Sequence, residues 1–194
     1  MDTFTDEQLR YRIALAGVKG MNRLLAETLI EATGDVSVFF TLSDRELAGL
    51  TGWNSRLFSD VERGNALRAA VREVEFVRQH GITPLFITDA EYPRRLAECS
   101  DAPLMLYYKG HFPLEYDRVV SIVGTRRATA YGKSFVDALV RGLASASRST
   151  LIVSGLAYGI DIAAHRAALR YELPTVGVLA HGLHMLYPST HRQT

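Results

Sequence analysis

From Val119 onward, short apolar runs alternate with amphipathic stretches along the chain. The runs RVVSIVG, STLIVSG and TVGVLAHG predict buried strands, and the segments KSFVDALVRGLASAS and IDIAAHRAALRY predict the helices between them. On the first of these helices the following apolar residues are expected to face inward: Phe135, Val136, Leu139, Val140 and Leu143. Strands that alternate with helices in this way form βαβ units, so the pattern predicts an α/β fold with a parallel sheet and helices on both faces.

Residues 1–64 show a different pattern, in which short predicted helices are separated by glycine-containing turns. In each half the turn contains two glycines and the next helix begins at an asparagine, a good capping residue: Gly17, Gly20 and Asn22, then Gly49, Gly52 and Asn54. This predicts a small all-α domain of the tandem helix-hairpin-helix type, whose turns can hold a DNA phosphate. The alternative is a helical bundle that only packs or recruits a partner, which the mixed acidic and basic charges favour.

Residues 65–118 connect these two regions. The segment GNALRAAVREVEFVRQHG predicts a helix that ends at Gly81, with an apolar stripe formed by Leu67, Ala70, Val71, Val74 and Val77. The runs ITPLFITD and PLMLYYKG then predict two strands that could extend the sheet that follows. We therefore divide the chain into a helical domain, residues 1–64, and an α/β domain, residues 65–194.

The composition narrows the class of protein. No stretch approaches the roughly 18 consecutive apolar residues of a membrane span, and the opening MDTFTDEQLR has no signal-peptide core. Cys99 is the only cysteine, which leaves no internal disulfide and no zinc site built on thiolates. These features predict a cytoplasmic protein that does not contact a membrane.

Charge is distributed unevenly, although the formal net charge is only +1. Residues 1–118 contain 14 Lys/Arg and 18 Asp/Glu, whereas residues 119–194 contain 8 Lys/Arg and 3 Asp/Glu. Such asymmetry indicates that the second part faces a polyanion. Solvated side chains on helix faces would give the same count, so charge alone leaves both interpretations open.

The first predicted strand-to-helix turn lies in VVSIVGTRRATAYG, Val119 to Gly132. Gly124 lets the backbone turn tightly, so the next helix can direct its N-terminal N–H groups to the carboxyl edge of the sheet. The turn is not the G-x-G-x-x-G of dinucleotide-binding folds, and it contains Arg126 and Arg127 instead. Guanidinium groups can bind phosphodiesters in bidentate fashion and stack on bases. Arg127 could equally pair with a carboxylate.

The second turn, VSGLAYGID, has the same design. Ser154 and Gly155 end a strand, Gly159 allows a sharp bend and Asp161 begins a helix. Two helix N-termini would then converge with the arginines into an anion site, with the Ser154 hydroxyl as a further donor. Asp161 and His165, four residues apart, could form an acid–base or metal pair; ordinary helix capping by Asp161 and a core role for His165 are favoured.

Neither a metal site nor a catalytic nucleophile is predicted. The segment AHGLHMLYPSTHR contains His181, His184 and His191, but the nearest acidic residue is Glu172 and no cysteine is close. No G-x-S-x-G motif is present, and Ser154 has no evident base. We therefore expect no cofactor, no metal and no catalytic residue.

Three motifs in order, VSIVGTRRATAYG, LIVSGLAYGIDIAAHRAAL and TVGVLAHGLHMLYPSTH, resemble the DNA-processing protein A (DprA/Smf) family of bacteria. The segment ITDAEYPRRLAECSDAPLMLYYKG is similar to the family's lead into its Rossmann-like domain. The N-terminal helices are similar to its sterile-alpha-motif-like (SAM-like) or helix-hairpin-helix domain. The resemblance covers nearly the whole chain.

The resemblance implies a non-enzymatic protein that binds incoming single-stranded DNA during natural transformation, protects it and helps to load the recombinase RecA. Arg126 matches the family's DNA-contacting arginine, and the further residues at the DNA site are Gly124, Thr125, Arg127, Ser154 and Gly155. Gly132, Gly159, Asp161 and His165 have structural or helix-capping roles in this interpretation.

Two departures limit what the resemblance implies. His184 stands where the family usually has an aspartate. Three strands and two helices are also about half of a doubly wound fold, so we expect a second half to follow, with most of the homodimer and RecA surfaces. A nucleotide-binding or nucleotide-hydrolysing Rossmann-like enzyme is the main alternative. An inert scaffold whose helical domain recruits a partner is the other.

Overall fold

A computed structural model describes residues 5–54, 58–110, 116–183 and 185. The chain divides into two compact units, unit 1 (Met1–His111) and unit 2 (Phe112–Thr194). The predicted boundary between residues 64 and 65 falls within a long helix of unit 1. Mixed helix and sheet, with a parallel sheet in unit 2, confirm the predicted α/β class.

Unit 1 is built from helices and one strand pair. In chain order these are α1 (Asp6–Gly17), α2 (Arg23–Thr33), α3 (Val38–Thr41), α4 (Asp44–Thr51), α5 (Asp60–Gln79), β1 (Thr83–Phe86), α6 (Arg94–Ala97) and β2 (Met105–Tyr108). The two strands pair antiparallel with each other, Thr83 opposite Tyr108 and Phe86 opposite Met105. They form a separate two-stranded sheet. The expectation that they extend the parallel sheet is therefore wrong.

Local capping decides where the helices of unit 1 begin. The Asn22 side chain accepts a hydrogen bond from the N–H of Leu25 at 3.0 Å, as predicted for the start of α2. The first turn of the helix predicted to start at Asn54 lies outside the described residues, which resume at Phe58, and the next described helix, α5, begins at Asp60. Ser59 and Glu62 form a reciprocal capping box there, which a Ser-x-x-Glu pattern predicts better than asparagine does. The same hydrogen bonds from Ser59 lower the pKa of Glu62.

The end of α5 lies close to the expected position. The N–H of Ile82 donates to Val77 O at 3.0 Å and the N–H of Gly81 to Arg78 O at 3.4 Å, and Gly81 has a φ of +59°. This pair of bonds is a Schellman motif, which needs a left-handed residue at Gly81. The predicted apolar stripe is correct at Ala70, Val74 and Val77, which are buried, but Val71 is exposed.

An aromatic cluster forms the core of unit 1. The ring of Phe39 lies edge-on to those of Phe40, Trp53 and Phe58, with centroids 5.0, 6.2 and 5.3 Å away. Arg63 is buried beside this cluster, with its Cζ 5.6 Å from the Phe39 ring centroid. Arg63 lies on the same side of α5 as buried Ala70, Val74 and Val77, so a single face of this helix buries a cation near its start and apolar side chains farther along.

Buried Arg63 organises the chain around α3. Its Nη1 donates to the carbonyl oxygens of Phe39 and Leu42 at 2.6 and 2.7 Å, which lie at the end of α3. Its Nη2 pairs with Asp44 at 2.7 Å and also with Asp60. One side chain therefore satisfies carbonyls of α3 while it joins α4 to α5.

Unit 2 contains a three-stranded parallel sheet formed by β3 (Arg118–Ser121), β4 (Thr150–Ser154) and β5 (Thr175–Gly177), in that order across the sheet. Arg118 lies opposite Thr150, and Ile152 lies opposite Thr175. The connections are α7 (Ala130–Ala146) and α8 (Ile160–Arg170). This is the predicted βαβαβ order, and it is Rossmann-like.

The two helices of unit 2 contact each other, so they share one face of the sheet. Val136, Val140 and Ala144 of α7 join Ile152 and α8 in one core. The described helices of this unit thus cover one face of the sheet, and a cover on the second face stays a prediction for the expected second half of the fold. Phe135 and Leu139 were also expected to face inward, but they are 57% and 39% exposed because the buried stripe of α7 runs along Val136 and Val140 instead.

Across the described part of the chain, no helix combines the length and apolar character that crossing a bilayer requires.

Replacing Arg63 with alanine should destabilise unit 1 by about 3 kcal/mol or more, because two carbonyls and two carboxylates would lose a buried partner. Trp53, the only tryptophan of the chain, lies in the same core and reports the transition by its fluorescence in urea. Arg68→Ala is the matched control, since Arg68 is an exposed residue of the same helix whose side chain donates to Asn65. Equal unfolding midpoints for the two variants would contradict the role given to Arg63.

Candidate nucleic-acid interface

The first turn leaves the sheet at β3 and ends at the first turn of α7. Beyond Ser121 the ladder continues with Ile122, whose N–H donates to Val153 O at 2.9 Å. The Thr129 side chain caps α7 by accepting a hydrogen bond from the N–H of Gly132 at 3.1 Å. The helix therefore begins at Ala130, three residues before the predicted start. Thr129 is a capping residue that the sequence analysis overlooked, although a threonine just before an apolar-periodic segment is a usual signal.

The second turn packs directly on the first. The N–H of Ile160 donates to Thr125 O at 3.2 Å. Gly159 has a φ of +87°, and a Cβ added there would lie 2.1 Å from Thr125 O. A Cβ at Gly124 would lie 2.6 Å from Ile160 Cγ1. Both glycines are required by close approach, and Gly159 is also required by its left-handed backbone.

The N-termini of α7 and α8 meet at Ile160. A Cβ at Gly132, in the first turn of α7, would lie 3.4 Å from Ile160 Cδ1, and Ile160 is itself the first residue of α8. The predicted convergence of two helix ends is therefore present in the structure. Ile160, which the sequence analysis did not single out, is the residue that both turns and both helix ends contact.

The two helix ends differ in electrostatics. The first turn of α8 contains Asp161, whose carboxylate offsets the positive end of that helix dipole. The first turn of α7 contains no acidic residue. Within the described residues, the N–H groups of Ala130 and Tyr131 have no acceptor. The end of α7 is thus the one with uncompensated positive potential.

Arg126 and Arg127 lie in the exposed part of the first turn. Neither side chain forms an ion pair with another residue in the described ranges, so the predicted alternative of a carboxylate partner for Arg127 finds no support there. The backbone of the turn is ordered by the Thr125 hydroxyl, which accepts from the N–H of Arg127 at 3.1 Å. The structure places Arg126 and Arg127, which form no ion pair within the described residues, just before the N-terminus of α7.

Ser154 does not serve as the expected anion donor. It is only 3% exposed, and its hydroxyl donates to Ile122 O at 2.6 Å. This bond joins the end of β4 to the segment that follows β3, so Ser154 stabilises the start of the first turn. Its hydroxyl is committed to the protein because a buried donor needs a partner.

Asp161 and His165 are both buried, on the inner side of α8. The His165 Nε2 donates to Gly155 O at 2.6 Å, and Nδ1 lies 2.7 Å from the Thr175 hydroxyl. This is the arrangement of a core histidine bonded to backbone. A Cβ added at Gly155 would lie 2.6 Å from Asp161 Oδ2, which is too close for two non-bonded atoms. The other carboxylate oxygen, Oδ1, has no hydrogen-bond partner among the described residues. Gly155 is therefore needed to make room for this carboxylate.

A metal site is not formed by the part of the chain that the structure describes: no group of three or more His, Cys, Asp or Glu side chains lies close enough. Of the three histidines near the third strand, His181 contacts its neighbour's carbonyl, Gly182 O, at 3.2 Å. His184 and His191 lie outside the described residues.

A groove of about 500 Å³ lies at the other end of the sheet, where α7 and α8 finish. It is lined by Arg141, Arg148 and Arg170. Arg148 donates to Tyr171 O at 2.8 Å, and Arg170 pairs with Asp137 at 2.5 Å. Cations at helix C-termini are stabilised by the helix dipole, which accounts for this cluster without a ligand.

Comparison with known proteins assigns both turns to one family. Residues 83–194 match the family described as "DNA recombination-mediator protein A". The DNA processing protein DprA of Streptococcus pneumoniae is 40% identical over 107 residues, which cover 55% of this chain and 37% of that protein. Protein Smf of Synechocystis is 30% identical over 190 residues, which cover 94% of this chain and 46% of that protein.

The likeness extends to three dimensions. The X-ray structure of DNA processing protein A from Streptococcus pneumoniae superposes with a TM-score of 0.72 at 27% identity, and the match covers 98% of this chain and 62% of that one. The matches to the two curated relatives in the preceding paragraph cover less than half of the length of each relative.

Gly159→Ala should destabilise unit 2 by about 3 kcal/mol or more, since alanine at positive φ is strained and its Cβ would overlap the Thr125 carbonyl. Gly142→Ala is the matched control: Gly142 lies within α7 with no atom within 4 Å of an added Cβ, so alanine should stabilise the helix by about 0.5–1 kcal/mol. Hydrogen exchange of α8 peptides measures both changes. Unaltered protection of α8 in Gly159→Ala would refute the close contact of the turns.

Proposed function

Because the chain belongs to the DNA recombination-mediator protein A family, which includes the DprA and Smf proteins, we propose that it binds single-stranded DNA through the Gly124–Arg127 turn. In this role it protects incoming DNA during natural transformation and helps to load RecA. It acts in the cytoplasm, where both DNA and recombinase are found. The role requires no cofactor.

One observation carries the proposal: two exposed arginines without a carboxylate partner among the described residues stand beside the uncompensated N-terminus of α7. Free N–H groups and guanidinium groups together favour an anion with several oxygens, such as a phosphodiester. Gly124 has no side chain, which lets the turn pack against Ile160. In this proposal, that packing holds the arginines beside the N-terminus of α7. Phosphate contacts of this kind carry no base code, so binding should be independent of sequence.

The other predicted site residues have supporting roles in this proposal. Thr125 orders the turn through its hydroxyl and accepts from Ile160 through its carbonyl. Ser154 joins β4 to the first turn, and Gly155 gives space to Asp161. We therefore assign direct DNA contact to Arg126 and Arg127, and the shape of the site to the others.

RecA loading and dimer formation are carried over from the family and concern the whole protein. We propose that they use surfaces largely outside the site described above. The alternative of a nucleotide-hydrolysing enzyme would need an accessible acid or base, whereas Asp161 is a buried residue whose carboxylate lies against Gly155. We propose that the protein acts without catalysis.

Arg126→Ala should weaken binding of a labelled oligothymidine about tenfold and reduce the slope of log K against log salt by about 0.7, the value for one phosphate contact on a single strand. Fluorescence anisotropy at several salt concentrations measures both quantities. Arg166→Ala is the control, because Arg166 is an exposed arginine of α8 with the same charge.

Equal effects of Arg126→Ala and Arg166→Ala would reduce the site to general surface charge and would contradict the assignment of the turn. Release of free base from nucleoside monophosphates, lost in Asp161→Ala, would instead support the enzyme.

A further inference from the structure

Three large apolar side chains stand in the solvent along one side of α7. Tyr131, Phe135 and Leu139 are 79%, 57% and 39% exposed, at intervals of four residues. Residues four apart lie on the same side of a helix, about 6 Å apart along its axis. Because Val136 and Val140 already fill the buried side, these three residues contribute nothing to the core of unit 2.

The face between them carries no charge. Ser134, Ala138 and Gly142 lie beside the three apolar residues on the wheel, and all three are exposed. An exposed, uncharged helix side with large apolar groups is a binding surface rather than ordinary solvent-facing helix. Two occupants have the required chemistry: a helix of another protein, or the bases of a single strand.

The position of the aromatic rings favours the bases. Tyr131 is the second residue of α7, in the helix turn that follows Arg126 and Arg127 along the chain, and Phe135 comes one turn later. The aliphatic Leu139 comes last, farthest from the arginines. A strand with phosphates at the cationic turn must place its bases on some adjoining surface, and aromatic rings beside cations are the usual combination for single strands.

We propose that Tyr131 and Phe135 form a stacking track for successive bases of a single strand whose phosphates lie on the Gly124–Arg127 turn. This inference rests on the proposed function and adds a second kind of contact to it. The turn supplies the salt-dependent part of the affinity, and the rings supply a part that is independent of salt. Because every base has an aromatic face, the track tolerates any sequence.

The test compares two labelled oligonucleotides of equal length, an oligothymidine and an abasic strand that has the phosphates without bases. Tyr131→Ala and Phe135→Ala should each weaken oligothymidine binding about tenfold, the effect of losing one stacked base, and should leave abasic binding unchanged. The salt slope should stay as in the unaltered chain. Arg126→Ala, in contrast, should weaken binding of both strands.

Two controls make the loss specific to stacking. Tyr131→Phe keeps the ring and should bind oligothymidine as the unaltered chain does. Leu169→Ala removes an apolar residue that is 53% exposed near the C-terminus of α8, and it should have no effect. A 2-aminopurine in the oligonucleotide gives an independent readout, since its fluorescence changes when the base stacks on Tyr131.

The outcomes separate the two proposals. If the unaltered chain binds both strands but Tyr131→Ala and Phe135→Ala bind oligothymidine normally, the stacking track is wrong and the phosphate site stands. A change of oligomeric state in these variants at unchanged DNA affinity, seen by sedimentation, would assign the face to a protein instead. Equal losses on both strands would also overturn stacking. If the unaltered chain binds neither strand, both proposals fail.

Discussion

Unit 2 depends on the direct backbone contact between its two strand-to-helix turns. The N–H of Ile160 reaches the Thr125 carbonyl at 3.2 Å, and no side chain can be accommodated at Gly124 or Gly159. Without this contact the N-termini of α7 and α8 would be separated by at least one layer of side chains. With it, the first turns of both helices lie at one point, and the loop that carries the arginines has a fixed base.

The same contact explains why the arginine loop can remain exposed and still be ordered. Its base is held by the Ile160 N–H and its interior by the Thr125 hydroxyl, so the loop backbone is ordered without a contact from either guanidinium group. Asp161, in the first turn of the neighbouring helix, is buried with its carboxylate against Gly155. Positive potential is therefore strongest at α7, whose first turn contains no acidic residue.

The sequence predicted those parts of the fold that local chemistry decides. Continuous apolar runs gave the order β3-α7-β4-α8-β5, and Asn22 correctly marked the start of α2. Errors arose where long-range packing decides. Phe135 satisfies a helical period as well as Val136 does, and only the angle at which α7 meets the sheet exposes it. The pairing of β1 with β2 likewise depends on which edge is available, which no strand pattern contains.

The candidate site shows the same division. The glycines could be recognised from the sequence because glycine at the end of a strand indicates a tight turn. The arginines could be recognised because two adjacent cations in such a turn indicate an anionic ligand. Ile160 was not, since an isoleucine at the start of a helix resembles any core residue until its partners are known. Ser154 was misjudged for a related reason: a hydroxyl at the end of a strand can donate to a ligand or to the neighbouring strand. In this chain Ile122 O takes that bond, so the Ser154 hydroxyl proton is used within the fold.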